Sequence, residues 1–292
     1  MKKSTVTFFN FGVLLLALMV KPLSANWNTT VTFDQQIATT PSLAQTEIVR
    51  YDGSAASDET VYAEELDSLD IKLHPGNTYK PESNGSPRSL NHCKSLVYRT
   101  LKSLPEKPVN HLKNLTLYFS DSGRRGLGGG DTIILRCQNV TDEELVGVLV
   151  HEMGHIHDTG VLGGSMWSSK SEFMDGSKPV KSDDPSVDFY RLSWQNDTTL
   201  KATASEEDFV SGYAMTDPFE DFSESYAYYI LHGTEFRQLA KENAVLQAKY
   251  KFLKERVLDG KEYVNGEEVV DVKTRHYDVT VLPYDMAKFF AV

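Results

Sequence analysis

Thr141-Asp142-Glu143-Glu144-Leu145-Val146-Gly147-Val148-Leu149-Val150-His151-Glu152-Met153-Gly154-His155-Ile156-His157-Asp158 carries a fold signal and a chemical one together. Thr141 followed three residues later by Glu144 is a capping box, so a helix begins there. Leu145, Val148, Leu149, Met153 and Ile156 recur at three- and four-residue steps, which carries the helix to about Asp158 with a stop near Gly160. On it His151 and His155 stand at i and i+4, so both imidazoles project from one face and can grip one metal ion. Glu152, one step round, reaches a water on that metal.

Two imidazoles and a base do not complete a catalytic zinc site, which takes three protein ligands and keeps one position open. A third ligand within the same run would need a glycine at 158 and a ligand at 161, but Asp158 and Val161 stand there. His157 lies about 200° round the helix from His155 and is expected to face solvent or to stand behind the ligands. The third ligand is therefore expected from a second helix, announced by Asp217-Pro218, with Asp as cap and Pro in the first helical position. Glu220 and Glu224 are i and i+4 on that helix and point to one place. Each has two readings: Glu220 is a ligand or only completes the Asp217 capping box, and Glu224 hydrogen-bonds a ligand imidazole or is only a solvated partner. The two carboxylates can also exchange roles, with Glu224 as the ligand.

Tyr213, seven residues before Glu220, followed by Glu220-Asp221-Phe222-Ser223-Glu224 and preceded by the histidine pair, resembles the anthrax lethal-factor-like zinc peptidases, including the Pro-Pro endopeptidases. The resemblance implies an α+β, zincin-like metallopeptidase domain of the gluzincin type, with a small antiparallel or mixed sheet, an active-site helix and a mostly helical C-terminal lobe. It implies His151, His155 and Glu220 as ligands of one Zn2+ per chain and Glu152 as general base. It also implies Tyr213 as the phenol that stabilises the oxyanion and Glu224 as the acid behind a ligand imidazole. Between His155 and Glu220 lies a long insert bearing Asp183-Asp184-Pro185 and the aromatic patch Phe189–Trp194.

Outward from these segments the chain divides. Residues 1–25 read as a secretory signal: Lys2 and Lys3 open it, Phe8–Val20 is apolar, and Leu23-Ser24-Ala25 is a cleavage site. Residues 26–87, rich in Thr, Ser, Asp, Asn, Gly and Pro, are an N-terminal arm, linker or pro-segment in which only Thr60–Leu73 hints at an element. Residues 88–260 are the expected metallopeptidase domain, and 261–292 a β-hairpin-like extension turning near Asn265-Gly266. Within the domain, His92–Leu104 has helical spacing. Leu115–Phe119 and Thr132–Arg136 read as strands joined by a glycine-rich loop, and by analogy with the resembled fold either is a candidate edge for an extended peptide. Thr234–Leu258 reads as one long amphipathic helix.

A formal net charge of −11 argues against a nucleic-acid partner, and the resemblance implies a protein or peptide substrate. No apolar run after the signal reaches the ~18 residues that span a bilayer, so no membrane insertion is expected once the signal is removed. Two cysteines, Cys93 and Cys137, in a chain expected to be exported, as a secreted or periplasmic protein, read as one disulfide. The expected function is thus an exported zinc endopeptidase. A catalytically silent zinc-binding recognition or structural protein on a peptidase scaffold is the alternative, and a zinc hydrolase of non-protein amides a third reading.

Overall fold

The computed structural model describes residues 55–75, 89–264 and 275–291, so the signal segment 1–25 and the turn expected at Asn265-Gly266 lie outside the described residues. The fold is mixed α+β. Helix α1 (Ala55–Ser68) and strand β1 (Lys72–Pro75) precede α2 (Leu90–Ser103) and α3 (Glu106–His111). Strands β2 (Asn114–Tyr118), β3 (Gly126–Gly129) and β4 (Thr132–Arg136) lead into α4 (Asp142–Ile156) and a π turn, His157–Val161. The sheet runs in the order β1-β2-β4-β3, with β1, β2 and β4 parallel and β3 antiparallel to β4.

Two expectations change here. The glycine-rich stretch between β2 and β4 is not merely a connection: Gly126–Gly129 is itself a strand and forms one edge of the sheet among the described residues, with β1 at the other. The candidate edges Leu115–Phe119 and Thr132–Arg136 are both interior, since β2 has partners in β1 and β4, and β4 has partners in β2 and β3. Glycine has low strand propensity, so composition conceals β3 until its pairing is seen. Lys72–Pro75, within the expected N-terminal arm, also joins the sheet through the register Lys72↔Asn114.

Alternation in β2 and β4 buries Leu115, Leu117, Ile133 and Leu135. They share one core with Val146, Leu149, Val150 and Met153 of α4, a helix buried along most of its length. The Thr141 hydroxyl caps α4 by accepting from Glu144 N, while the Glu144 carboxylate pairs with Arg125 instead of closing the box. Cys93 and Cys137 form a disulfide, Cα atoms 5.9 Å apart, that ties α2 to the end of β4.

The insert after α4 is ordered structure. It holds the hairpin β5 (Lys170–Asp175) and β6 (Lys178–Lys181), helix α5 (Ser186–Ser193), and the short pair β7 (Trp194–Asn196) and β8 (Thr199–Leu200). Its aromatic patch is core: Phe189 packs edge-on against Phe222 and Phe252, and Tyr190 against Phe173. Helix α6 (Pro218–Leu231) crosses behind α4. The expected single helix 234–258 is broken into α7 (Gly233–Glu242), α8 (Ala244–Phe252) and a π turn, Leu253–Val257. The break has a local cause: Asn243 leaves helical geometry and its Oδ1 accepts from Val245 N and Leu246 N, starting α8 afresh. Lys249 of α8 is fully buried and donates to both Asp221 oxygens at 2.7 Å, pinning α8 to α6. The described tail forms a 3₁₀ turn, Val279–Val281, and a short helix α9 (Met286–Phe290), while the hairpin expected about Asn265-Gly266 falls outside the described residues. No helix among the described residues is long and apolar enough to cross a membrane.

Candidate metal centre

His151 and His155 leave the same face of α4, their rings 5.0 Å apart. Opposite them, α6 begins at Asp217, whose Oδ1 accepts from both Phe219 N and Glu220 N at 2.9 Å. Asp217 thus caps the helix with its own carboxylate, and Glu220 turns its carboxylate towards the imidazoles. Glu220 Oε2 lies 3.1 Å from His151 Nε2 and 3.4 Å from His155 Nε2, and one ligand atom from each residue falls within 4.8 Å of the others. The two readings of Glu220 are thereby separated in favour of the shared cluster.

The donor set fits a cation. Glu220 Oε2 is buried and has no hydrogen-bond donor among the described residues, although it faces two ring nitrogens. A tetrahedral ion with bonds of ~2.05 Å places its ligand atoms about 3.3 Å apart, close to the separations found. Side-chain exposure rises from 7% at His151 to 12% at His155 and 18% at Glu220, so the cluster is closed behind and open in front. Burial opposes ionisation of Glu220, but the two imidazoles outweigh it and hold the carboxyl below its usual range.

Glu224 is fully buried behind His151, not at the cluster's centre. Its Oε1 meets His151 Nδ1 at 2.9 Å, while Oε2 accepts from Ser211 Oγ at 2.6 Å and from Val279 N at 3.0 Å. Both oxygens are occupied, and the bond to Nδ1 leaves Nε2 of His151 as the outward ligand atom. Tyr213 sits in a 3₁₀ turn, Tyr213–Met215, just before the α6 cap, and its hydroxyl donates to Glu220 Oε1 at 3.1 Å. Burial, then Glu220, raises the Tyr213 phenol above its ordinary value, so it stays protonated and able to donate at neutral pH.

Glu152 is buried under β3. A Cβ at Gly126 would come within 2.2 Å of Glu152 Oε1, and one at Gly128 within 2.8 Å of Oε2, so only glycine lets the strand pass this close. Burial raises the Glu152 carboxyl, against the opposing influence of His151, His155 and the Gly128 amide. Thr159 in the π turn holds β3 in place: its hydroxyl donates to His155 O and accepts from Gly130 N, both at 2.8 Å. A cleft of about 880 Å³ opens in front, between β3, α4, α6 and the β5–β6 turn at Asp175 and Lys178.

Of the two places expected for His157, its burial excludes solvent. The side chain stacks obliquely near Tyr226, and burial pushes its imidazole down to about 4. It stands outside the His151, His155 and Glu220 group. Ser211 and the Val279 amide escape sequence reasoning, because a hydroxyl and a backbone N–H carry no distinguishing pattern. The alternate glycines Gly126 and Gly128 do carry one, since i and i+2 share a strand face. Neither protein-family models, curated proteins nor solved structures match this chain significantly.

Proposed function

We propose that the chain is a zinc-dependent endopeptidase of the gluzincin type, similar to the lethal-factor-like peptidases, and that it works after export. The observation carrying this reading is Glu220 Oε2, buried without a donor between two ring nitrogens and beside the Glu152 carboxylate in an open cleft. His151, His155 and Glu220 would hold one zinc per chain, since no second group of this kind occurs among the described residues. The disulfide supports a working place outside the reducing cytoplasm.

When bound there, zinc polarises a scissile carbonyl and acidifies a water. Glu152 takes the proton from the attacking water on a carboxylate oxygen and returns it to the leaving amine. Its raised pKa suits both halves of that task. Tyr213 Oη turns from Glu220 to donate to the carbonyl oxygen as that oxygen gains charge. Glu224 keeps the proton of His151 on Nδ1, and β3, which lines the cleft beside Glu152 and pairs with β4 alone among the described strands, is the edge along which an extended peptide would lie.

A peptide library incubated with the purified protein, with and without chelator, tests the reading. Cleavage should stop with chelator and return with added zinc. Glu152→Gln should keep its zinc and lose about 10²–10⁴ in turnover. A zinc-loaded protein that cleaves no peptide would overturn the proposal and favour the silent scaffold.

A further inference from the structure

We propose that the segment His276–Thr280 is a positioning strap for the metal centre, acting through the Val279 amide on Glu224 and clamped in place by Arg125. The inference rests on the metallopeptidase reading above and deepens it.

Three separate parts of the centre meet this segment. The Val279 N–H donates to Glu224 Oε2, the carboxylate whose other oxygen faces His151 Nδ1. The carbonyls of His276 and Tyr277 accept from Gly212 N at 3.0 Å and from Tyr213 N at 2.6 Å, so the turn carrying the phenol is paired to the strap along its backbone. Thr280 lies directly on α4: a Cβ at Gly147, one turn before His151, would come within 2.7 Å of the Thr280 carbonyl oxygen. One short stretch therefore touches the element bearing the two histidines, the acid behind one of them, and the phenol.

Arg125 closes the clamp from the sheet side. Its guanidinium donates to Asp278 and to Thr280 Oγ1 on the strap, and to Glu144 on α4. A planar fork that engages three oxygens on two elements fixes orientation as well as distance. Without the strap, Glu224 would keep only Ser211 and His151 as donors, and a buried carboxylate short of one partner is free to rotate. The His151 ring would then lose its fixed aim.

The backbone allows a clean deletion. Val279 is the first residue of its 3₁₀ turn, where proline is accepted, and Asp278 before it is extended at φ −142° and ψ 126°, the region that precedes proline. Val279→Pro thus removes one N–H and leaves the path of the chain intact, while Val279→Ala controls for the trimmed side chain. Zinc retention against a competing chelator, and the visible spectrum of the cobalt(II)-loaded protein, report the centre without any substrate. Val279→Pro should melt as Val279→Ala does, yet release zinc about 10–100-fold more readily, with a shifted cobalt band and a kcat that falls more than KM changes. Arg125→Met, at a partly exposed site, should give the same changes in weaker form and decides the matter if the proline variant does not fold. Folded variants with unaltered zinc retention and cobalt spectrum would overturn the strap alone. Strap-dependent zinc in a protein that cleaves nothing would overturn the peptidase reading alone, and a wild-type chain that holds no zinc would overturn both.

Discussion

Tyr213 has two jobs open to it, and they fall on different atoms. Its ring lies 6.1 Å from the His151 ring and 6.0 Å from that of Tyr277, so the ring packs, while the hydroxyl alone reaches Glu220. Tyr213→Phe separates the two. If the hydroxyl stabilises developing charge, kcat should fall roughly 10²–10³-fold, about 2.7–4 kcal/mol, with zinc content and melting unchanged. A Phe variant whose kcat stays within about threefold of wild type would assign Tyr213 to packing. At this scale the histidine pair is readable from one sequence because i and i+4 spacing on a helix fixes a shared face. Glu220 is readable only as one of two carboxylates, since the same spacing serves a cap or a ligand. In the structure the Glu220 carboxylate stands 3.1 and 3.4 Å from the two imidazoles, which brings it into their cluster.

Among the contacts that join helix α1 to the rest of the fold, His92 of α2 is one that answers to pH. Its Nδ1 lies 2.8 Å from Glu59 of α1 and its Nε2 2.9 Å from Asp142 of α4, so only the imidazolium donates to both. The hydrogen bond to Asp142 raises its pKa, burial opposes that, and Glu59 adds to the rise. A raised folded-state pKa means that the folded chain binds the proton more tightly. The clasp's contribution is therefore complete below the unfolded value of about 6.5 and disappears as pH rises through the higher folded value. Urea unfolding across pH should show wild type losing its advantage over His92→Gln on the alkaline side; a pH-independent difference would refute the clasp. The elements most visible in sequence are those whose apolar period is unbroken, such as α2 and α4. The division of 234–258 is invisible because the amphipathic period runs on through Asn243, whose Nδ2 is recruited by the distant Asp208. Strand β3 is hidden for the opposite reason: it has almost no side chains to show a period.

Across the whole molecule, the layers are joined by few but deeply placed polar contacts. The Lys249–Asp221 pair is wholly enclosed, with Trp194 Nε1 donating to Asp221 Oδ2 at 3.0 Å and the ammonium 4.1 Å from the Phe209 ring. Lys249→Met leaves that carboxylate without its countercharge and should cost about 3–5 kcal/mol, whereas Lys249→Met with Asp221→Leu should recover most of it. Denaturant midpoints of the two variants measure this directly, and equal losses would contradict it. At this scale the sequence is least informative, because sheet membership of Lys72–Pro75 and docking of His276–Thr280 both depend on partners far along the chain. The strap also imposes an order in time. Translation delivers residues 151, 155, 220 and 224 before residue 279. A nascent chain consequently owns every side chain of the centre while still lacking the amide that steadies Glu224. If the strap acts as proposed, a chain interrupted before residue 279 should keep the histidines and carboxylates of the centre yet hold zinc less tightly than the full chain.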